Sequence, residues 1–516
     1  MRKIKRTGNI NLYTHKARSF FAAVFALLIT GCANLQPLSL PVEQTPAPAE
    51  TALWNSLESI EANDWQALLN EGPTALDWRL RAIDSATESI DLQTFLWDFD
   101  TTGMLVLDHL LSAADRGVLV RILVDDTFLL AEDNILLALQ EHQNIEYRVF
   151  NPYKRRSSGF LTRQVLNLAE FGRLDHRMHN KAMVVDNRIA IVGGRNLADE
   201  YFGLHGEANF RDLELIVGGK ITLEVSAAFD AYWNDQWSFP IDLVSHVDAS
   251  PVELEKILQI RNENVHVHAE ESMQVMAAKW KELIASADTG RATLFVDKPP
   301  ADNPADRGHA PEEIASELIA LFENAEEEIL IVSAYLIPTP DLEGAVQRAV
   351  ERGVRVRILT NSIRSNNHLT AHSAYRKHID ELLRQGAELH EVRVDARDRH
   401  IYMLMPVERK TLALHAKALV IDRDKVFIGS ANLDPRSLRI NTEMGLLVES
   451  EAFNARVREA VETDYQQANA WHLQFEKDGK VVWVSDEKTL TSQPAASFMQ
   501  RIEDWFFAHL PIEEEM

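Results

Sequence analysis

Cysteine is nearly absent: Cys32 is the only one in 516 residues. No disulfide framework holds this chain, and at its length none is needed, because there is ample material for two packed apolar cores. Basic residues are in deficit, 53 Lys and Arg against 78 Asp and Glu, for a formal net charge of −25. Such a surface repels polyanions, which argues against nucleic acid as a partner and against a broad basic face for docking to membranes. Attraction to phosphate then has to be local, or supplied by an anchor. The apolar stretch from Phe20 to Ile29 is too short to span a bilayer. It follows Arg2, Lys3, Lys5, Arg6, Lys16 and Arg18, the layout of a secretion signal.

Leu28-Ile29-Thr30-Gly31 ahead of Cys32 resembles a bacterial lipobox. The resemblance implies cleavage before Cys32, lipidation of that residue, and a periplasm-facing place in the cell envelope. Ala33 after the cysteine, where Asp would mark the inner membrane, favours the outer one. Pro37, Pro41, Pro46 and Pro48 then stand among small polar residues and read as a tether. The expected division is a signal peptide over 1–31, a tether over 32–52, a first domain over 53–240, a linker region over 241–311 and a second domain over 312–516.

The two domains are a tandem duplication. Asp115-Arg116-Gly117-Val118-Leu119-Val120-Arg121-Ile122-Leu123 returns as Glu351-Arg352-Gly353-Val354-Arg355-Val356-Arg357-Ile358-Leu359. At the same distance downstream of each copy stands His-x-Lys with Asp five residues after the lysine: His179, Lys181 and Asp186, then His415, Lys417 and Asp422. Gly193-Gly194-Arg195-Asn196 and Gly429-Ser430-Ala431-Asn432 follow in register. Periodicity predicts a strand from Ser89 to Trp97, a helix from Thr102 to Arg116 and a strand from Val118 to Val124. The second half repeats the order, with helices Ile314 to Glu323 and Leu342 to Arg352 and strands Glu328 to Tyr335 and Val354 to Leu359. The segments after each motif read as hairpins turning at Asp186-Asn187-Arg188 and Asp422-Arg423-Asp424. Each half is thus an α/β domain. Phe229, Tyr232, Trp233 and Trp237 fall at helical spacing, read as core.

On a strand His179 and Lys181 share a face, as do His415 and Lys417, while Asn180 and Ala416 point elsewhere. An imidazole beside an ammonium suits attack on a phosphodiester: nitrogen bonds to phosphorus while the cation and the amides of Asn196 and Asn432 steady the non-bridging oxygens. Displacement also needs a proton for the leaving alcohol, and the second histidine supplies it if the halves meet face to face. Asp212 and Glu443 can each fix the tautomer of a histidine, or stand as plain structural carboxylates. The scheme calls for no metal or other cofactor, since lysine is a poor ligand and neither motif has a Cys/His cluster around it. His266 with His268 reads as structural, and His368 with His372 stands as a candidate for the pocket mouth beside Tyr375.

These segments resemble the phospholipase D superfamily, and within it the C-type bacterial cardiolipin synthases. The resemblance is carried by His176-Arg177-Met178-His179-Asn180-Lys181, Gly193 to Phe202, Phe229 to Asn234, Asn432-Leu433-Asp434-Pro435-Arg436-Ser437 and the ending Leu510-Pro511-Ile512-Glu513. It implies two pseudosymmetric phospholipase D-like domains, each a mixed sheet flanked by helices, with the active site at their interface. It also implies phosphatidyl transfer through a phosphohistidine onto the glycerol hydroxyl of phosphatidylglycerol, with His179 as nucleophile and His415 as acid and base by the superfamily pattern, or the reverse by the pseudosymmetry. The donor is phosphatidylethanolamine or a second phosphatidylglycerol. A hydrolytic phospholipase D uses the same six motif residues and differs only in admitting water. A nuclease is disfavoured by the acidic surface, and a non-catalytic lipid-binding lipoprotein by the completeness of both motifs. Ile502, Trp505, Phe506 and Leu510 form an apolar face, directed either to lipid headgroups or to the second domain.

Overall fold

The central strands carry apolar residues at consecutive positions, the mark of sheets covered on both faces; Ile189–Gly193 and Glu214–Gly218 are buried along their whole length. A computed structural model describes residues 35–57, 64–129, 133–156, 160–245, 247, 272–299 and 313–509. The signal peptide, Cys32, His266, His268 and the ending from Leu510 lie outside the described residues.

The first sheet runs, in spatial order, Asp288–Thr289, Trp65–Leu69, Glu214–Gly218, Ile189–Gly193, Ala182–Val185, Ser89–Thr94, Leu119–Asp125, Ile145–Phe150 and Ser238–Pro240. The second runs Arg291–Val296, Met444–Glu449, Lys425–Gly429, Lys417–Ile421, Glu328–Ser333, Arg355–Asn361, Glu388–Val392, Ala470–Phe475, Val481–Val484 and Thr489–Leu490. In each, three neighbouring strands are parallel, Ser89–Thr94 through Ile145–Phe150 and Glu328–Ser333 through Glu388–Val392, and the other pairings are antiparallel. Helices Gly72–Ser85, Thr101–Asp115, Glu313–Asn324 and Pro340–Glu351 follow the repeat expected from sequence.

Alternation along the catalytic hairpin divides its side chains between two cores. Met183 and Val185 join the core containing Leu80, Ile83 and Leu110 of the helices. Ala182 and Val184 join a core that also holds Leu330, Val332, Ala418, Val420 and Ile428 of the other half. The halves therefore share buried apolar surface. Phe229, Tyr232, Trp233 and Trp237 are all buried, as expected.

Two segments differ from the sequence reading. Residues 35–50, expected within a free tether, are strapped along the first domain. Glu43 pairs with Arg148 at 2.9 Å and accepts from Trp233 Nε1 at 2.6 Å. The hydroxyl of Thr45 donates to Asp91 and Asp230, and Arg188 Nε donates to Ala49 O at 2.8 Å. Proline-rich backbone is pre-extended, and here its polar groups find fixed partners instead of water. The expected linker is built into both sheets: helix Met273–Ser286 buries Trp280 against Trp54 and Trp78. The chain then gives Asp288–Thr289 to the first sheet and Arg291–Val296 to the second. Gly290 makes the crossing, where a Cβ would come within 2.6 Å of Glu449 O.

Candidate active site

The histidines sit just ahead of the hairpins, on extended segments bonded to the opposite half. His179 N donates to Thr442 O at 2.9 Å and Thr442 N to Arg177 O at 2.9 Å, while His415 N donates to Arg211 O at 2.8 Å. Thr411–Leu414 pairs in parallel with Ala208–Arg211. Asn180, turned away from its neighbours as expected, accepts from Thr442 Oγ1 at 2.9 Å across the same seam.

The orienting carboxylates are exchanged between halves. His179 Nδ1 lies 2.8 Å from Glu443 Oε2, and His415 Nδ1 lies 2.6 Å from Asp212 Oδ2. Both carboxylates are wholly buried, so a proton on Nδ1 is the hydrogen each requires, and Nε2 keeps its lone pair. Lys181 Nζ donates to His179 O at 2.6 Å, and Lys417 Nζ donates to His415 O while standing 3.1 Å from His415 Nε2. Phe95 packs edge-on to the His179 ring at 4.8 Å, and Tyr201 to that of His415 at 5.0 Å.

Burial, then the cations of Lys181 and Lys417, hold His179 well below the ordinary histidine range. Burial and Lys417 bring His415 down to about 3. Each ring thus feels the other half's lysine, as one shared pocket requires. Burial lowers Lys181 to about 7 and Lys417 to about 8. An anion bound beside the two lysines would favour their charged forms. The carboxylates differ. Burial opposes ionisation of Asp212, but His415, Lys417 and Arg195 outweigh it and hold the group below the usual range. Burial raises Glu443 to about 7 against the pull of Lys181.

The pseudosymmetry stops short of the groups behind these carboxylates. Gly194 lies against Asp212, where a Cβ would sit 2.2 Å from Oδ1, so no side chain fits. Its counterpart Ser430 donates to Glu443 through its hydroxyl. Glu443 N donates to Asp297 Oδ2 at 3.0 Å, and burial raises that second carboxyl to about 7.

A family model described as the cardiolipin synthase, phospholipase D-like domain matches the chain twice, over 80–233 and 318–465. This chain belongs to that family. Cardiolipin synthase C of Escherichia coli K12 is 33% identical over 84% of this chain and 92% of its own length. An uncharacterized protein of Helicobacter pylori is 30% identical over 94% of this chain and 96% of its own. Phosphatidylserine synthase of Haemophilus influenzae, 14% identical, superposes with a TM-score of 0.55 over 82% of this chain and 92% of its own, which shows the shared fold. As a cardiolipin synthase family member the chain is a phosphatidyltransferase of the phospholipase D superfamily, an enzyme of phospholipid synthesis.

Within this family site, His179, Lys181, His415, Lys417, Asp212 and Glu443 come together. The supporting asparagines frame it: Asn196 Nδ2 donates to Tyr201 Oη at 2.9 Å, and Asn432 Oδ1 accepts from Tyr335 N at 3.4 Å. Asp186 and Asp422, expected among the catalytic groups, stand instead at the turn end of the hairpins. Asp186 accepts from Trp54 Nε1, from the main-chain N–H groups of Thr87, Glu88 and Ser89, and from the Thr87 hydroxyl. Asp422 accepts from Glu326 N, Glu327 N and Glu328 N. These aspartates fix the start of each central strand, and their positive φ values of 53° and 48° make the turn. Asp186→Ala is expected to lower stability by about 3–5 kcal/mol, because several buried donors lose their acceptor. Thermal unfolding measures this loss, and kcat per folded molecule should stay far above that of His179→Ala; full stability with no activity would return Asp186 to the chemistry.

His368 and His372 divide. His368 is exposed and lies beside Tyr335 with a ring distance of 5.7 Å. His372 is wholly buried on Asp504 at 2.9 Å, and Tyr375 donates to Glu391 at 3.3 Å. Sequence reasoning missed Asp297, Ser430 and Phe95. Ser430 alone carried a signal, as the one hydroxyl in a register otherwise matched to Gly194.

Proposed function

We propose that the enzyme makes cardiolipin, moving a phosphatidyl group from phosphatidylethanolamine or one phosphatidylglycerol onto the glycerol hydroxyl of another phosphatidylglycerol. The observation that carries this reading is the exchanged pair of histidine–carboxylate contacts, which leaves one Nε2 from each half for a single phosphodiester. With the phosphodiester anion bound, His415 Nε2 takes up a proton from solvent; His179 Nε2 then attacks phosphorus as the bond to the leaving alcohol breaks, and His415 gives that alcohol its proton. His415, now neutral, takes the proton of the incoming hydroxyl as it displaces His179. Lys181, Lys417, Asn196 and Asn432 support the phosphoryl oxygens. No metal or other cofactor enters this scheme. Lipidation at Cys32 would hold the enzyme in the bacterial cell envelope, facing the periplasm, with the outer membrane favoured; the leader residues support this placement.

Lipid mass spectrometry after incubating the protein with vesicles of phosphatidylethanolamine and phosphatidylglycerol tests the reading. Cardiolipin that appears with the intact protein and is absent with His179→Ala is the expected result. Phosphatidic acid alone would make the enzyme a hydrolytic phospholipase D.

A further inference from the structure

Helix Phe498–Phe507 is mounted inside out. At 100° per residue Phe498, Met499, Ile502, Trp505 and Phe506 form one stripe, and Asp504 falls on the opposite side. A surface helix of a globular domain turns such a stripe inward. Here Asp504 is the wholly buried residue, accepting from His372 Nδ1 at 2.9 Å, Ser373 Oγ at 2.9 Å and Arg376 Nη1 at 2.6 Å. Gln500 Nε2 adds a bond to Ile363 O at 2.9 Å. Phe498 is 74% exposed, Trp505 56% and Phe506 54%. The polar side is locked to the protein and the apolar side is left facing out, which settles which way the face seen in the sequence points.

We infer that this stripe is a membrane foot, lying in the bilayer interface beside the pocket. Three observations favour a lipid surface over a second copy of the chain. First, in a chain of net charge −25 the stripe itself carries no carboxylate; exposed Arg501 and Glu503 border it on its two sides, and His509 continues it. It presents aromatic and aliphatic groups between charged borders, the layout of an interfacial helix. Second, the foot reaches the active site through one layer. It packs on helix Leu369–Tyr375, whose leading His368 stands against Tyr335, and Tyr335 N is held by Asn432. Third, the first half has an apolar patch of its own, on the segment that runs into His179: Val165, Leu168 and Phe171 are more than half exposed. Glu170 in that patch accepts from Leu35 N at 3.3 Å, so the described chain starts there, a few residues after the apolar leader and Cys32. Both halves thus carry outward apolar groups, and one of the two patches lies where the leader would bring lipid.

The choice of lipid as partner rests on the phospholipid reading of the pocket, so the test separates the two. The full chain with Cys32→Ser and Trp505→Cys takes an environment-sensitive fluorophore at position 505. A second version carries it at exposed Asp478, through Asp478→Cys. On vesicles of phosphatidylethanolamine and phosphatidylglycerol, emission at 505 is expected to shift to the blue and emission at 478 to stay unchanged. The shift persists when His179→Ala is added. Ile502→Glu with Phe506→Glu is expected to cut turnover on vesicles by about tenfold or more, with turnover of short-chain monomeric phosphatidylglycerol unchanged. Turnover on vesicles without a shift at 505 would overturn the foot. So would a shift that needs no lipid and follows protein concentration, the sign of a second copy. A shift without any lipid product would uphold the foot and fail the function.

Discussion

His179→Ala is expected to abolish the burst of p-nitrophenol from phosphatidyl-p-nitrophenol, and His415→Ala to keep it. This leaving group departs without a proton, so the first step needs only the nucleophile, whereas turnover needs both rings. With lipid donors either change should lower kcat on the order of 10⁴-fold or more, because the two histidines act as one unit. Rapid-quench measurement of p-nitrophenol, with a label on the phosphatidyl group, distinguishes them. In His415→Ala the label stays covalently on the protein, since no base activates the second hydroxyl. A burst in His179→Ala and none in His415→Ala would reverse the roles assigned to the two halves.

The exchanged carboxylates yield a second expectation of similar size. Glu443→Gln, in the second half, should behave as a weaker form of the first-half defect and lose the burst. Asp212→Asn, in the first half, should keep the burst and stall afterwards. Losses on the order of 10²–10⁴-fold in kcat are expected, because an amide in place of the carboxylate favours the wrong tautomer of the ring it faces. The pH dependence separates the pairs further. Burial raises Glu443 to about 7. Below that pH it carries a proton, offers it to His179 Nδ1 and leaves the ring hydrogen on Nε2, where attack is blocked. Above it the carboxylate accepts from Nδ1 and frees Nε2. The rate of the burst should therefore rise with pH through about 7, and that limb should be missing from the slow first step that Glu443→Gln retains. Asp212, held below the usual carboxylate range, gives His415 no such limb. A burst lost in Asp212→Asn and kept in Glu443→Gln would show that each carboxylate serves its own half.

The duplication, the order of strands and helices and the paired His-x-Lys segments were legible because they are local: each depends on a period or a spacing within a few tens of residues. Asp212 and Glu443 were legible as candidate partners of the histidines, but which ring each serves was not. Glu443 is 264 positions from His179, and Asp212 is 203 from His415. Only the way two sheets meet decides which carboxylate faces which ring. Asp186 was placed correctly at the turn, but its catalytic role was misread for a related reason. Motif spacing puts it on the same hairpin as Lys181, but a strand has two ends, and the intervening Ala182–Val185 carries it to the far one. The strap was misread from composition, since Glu43 and Thr45 look like linker residues until Arg148, Trp233 and Asp230 are brought under them.

The exchange of carboxylates also bears on the synthesis of the chain. A half-made polypeptide that has already emitted His179 and Lys181 lacks Glu443, and its histidine has nothing to fix its tautomer. A first half alone thus lacks the group that orients its own histidine. Its chemistry switches on only when the last part of the second half has folded against the first. Activity is therefore a gauge of how closely the halves are apposed: a rigid-body separation of an ångström or two would break both histidine contacts at once and leave each half's own secondary structure standing.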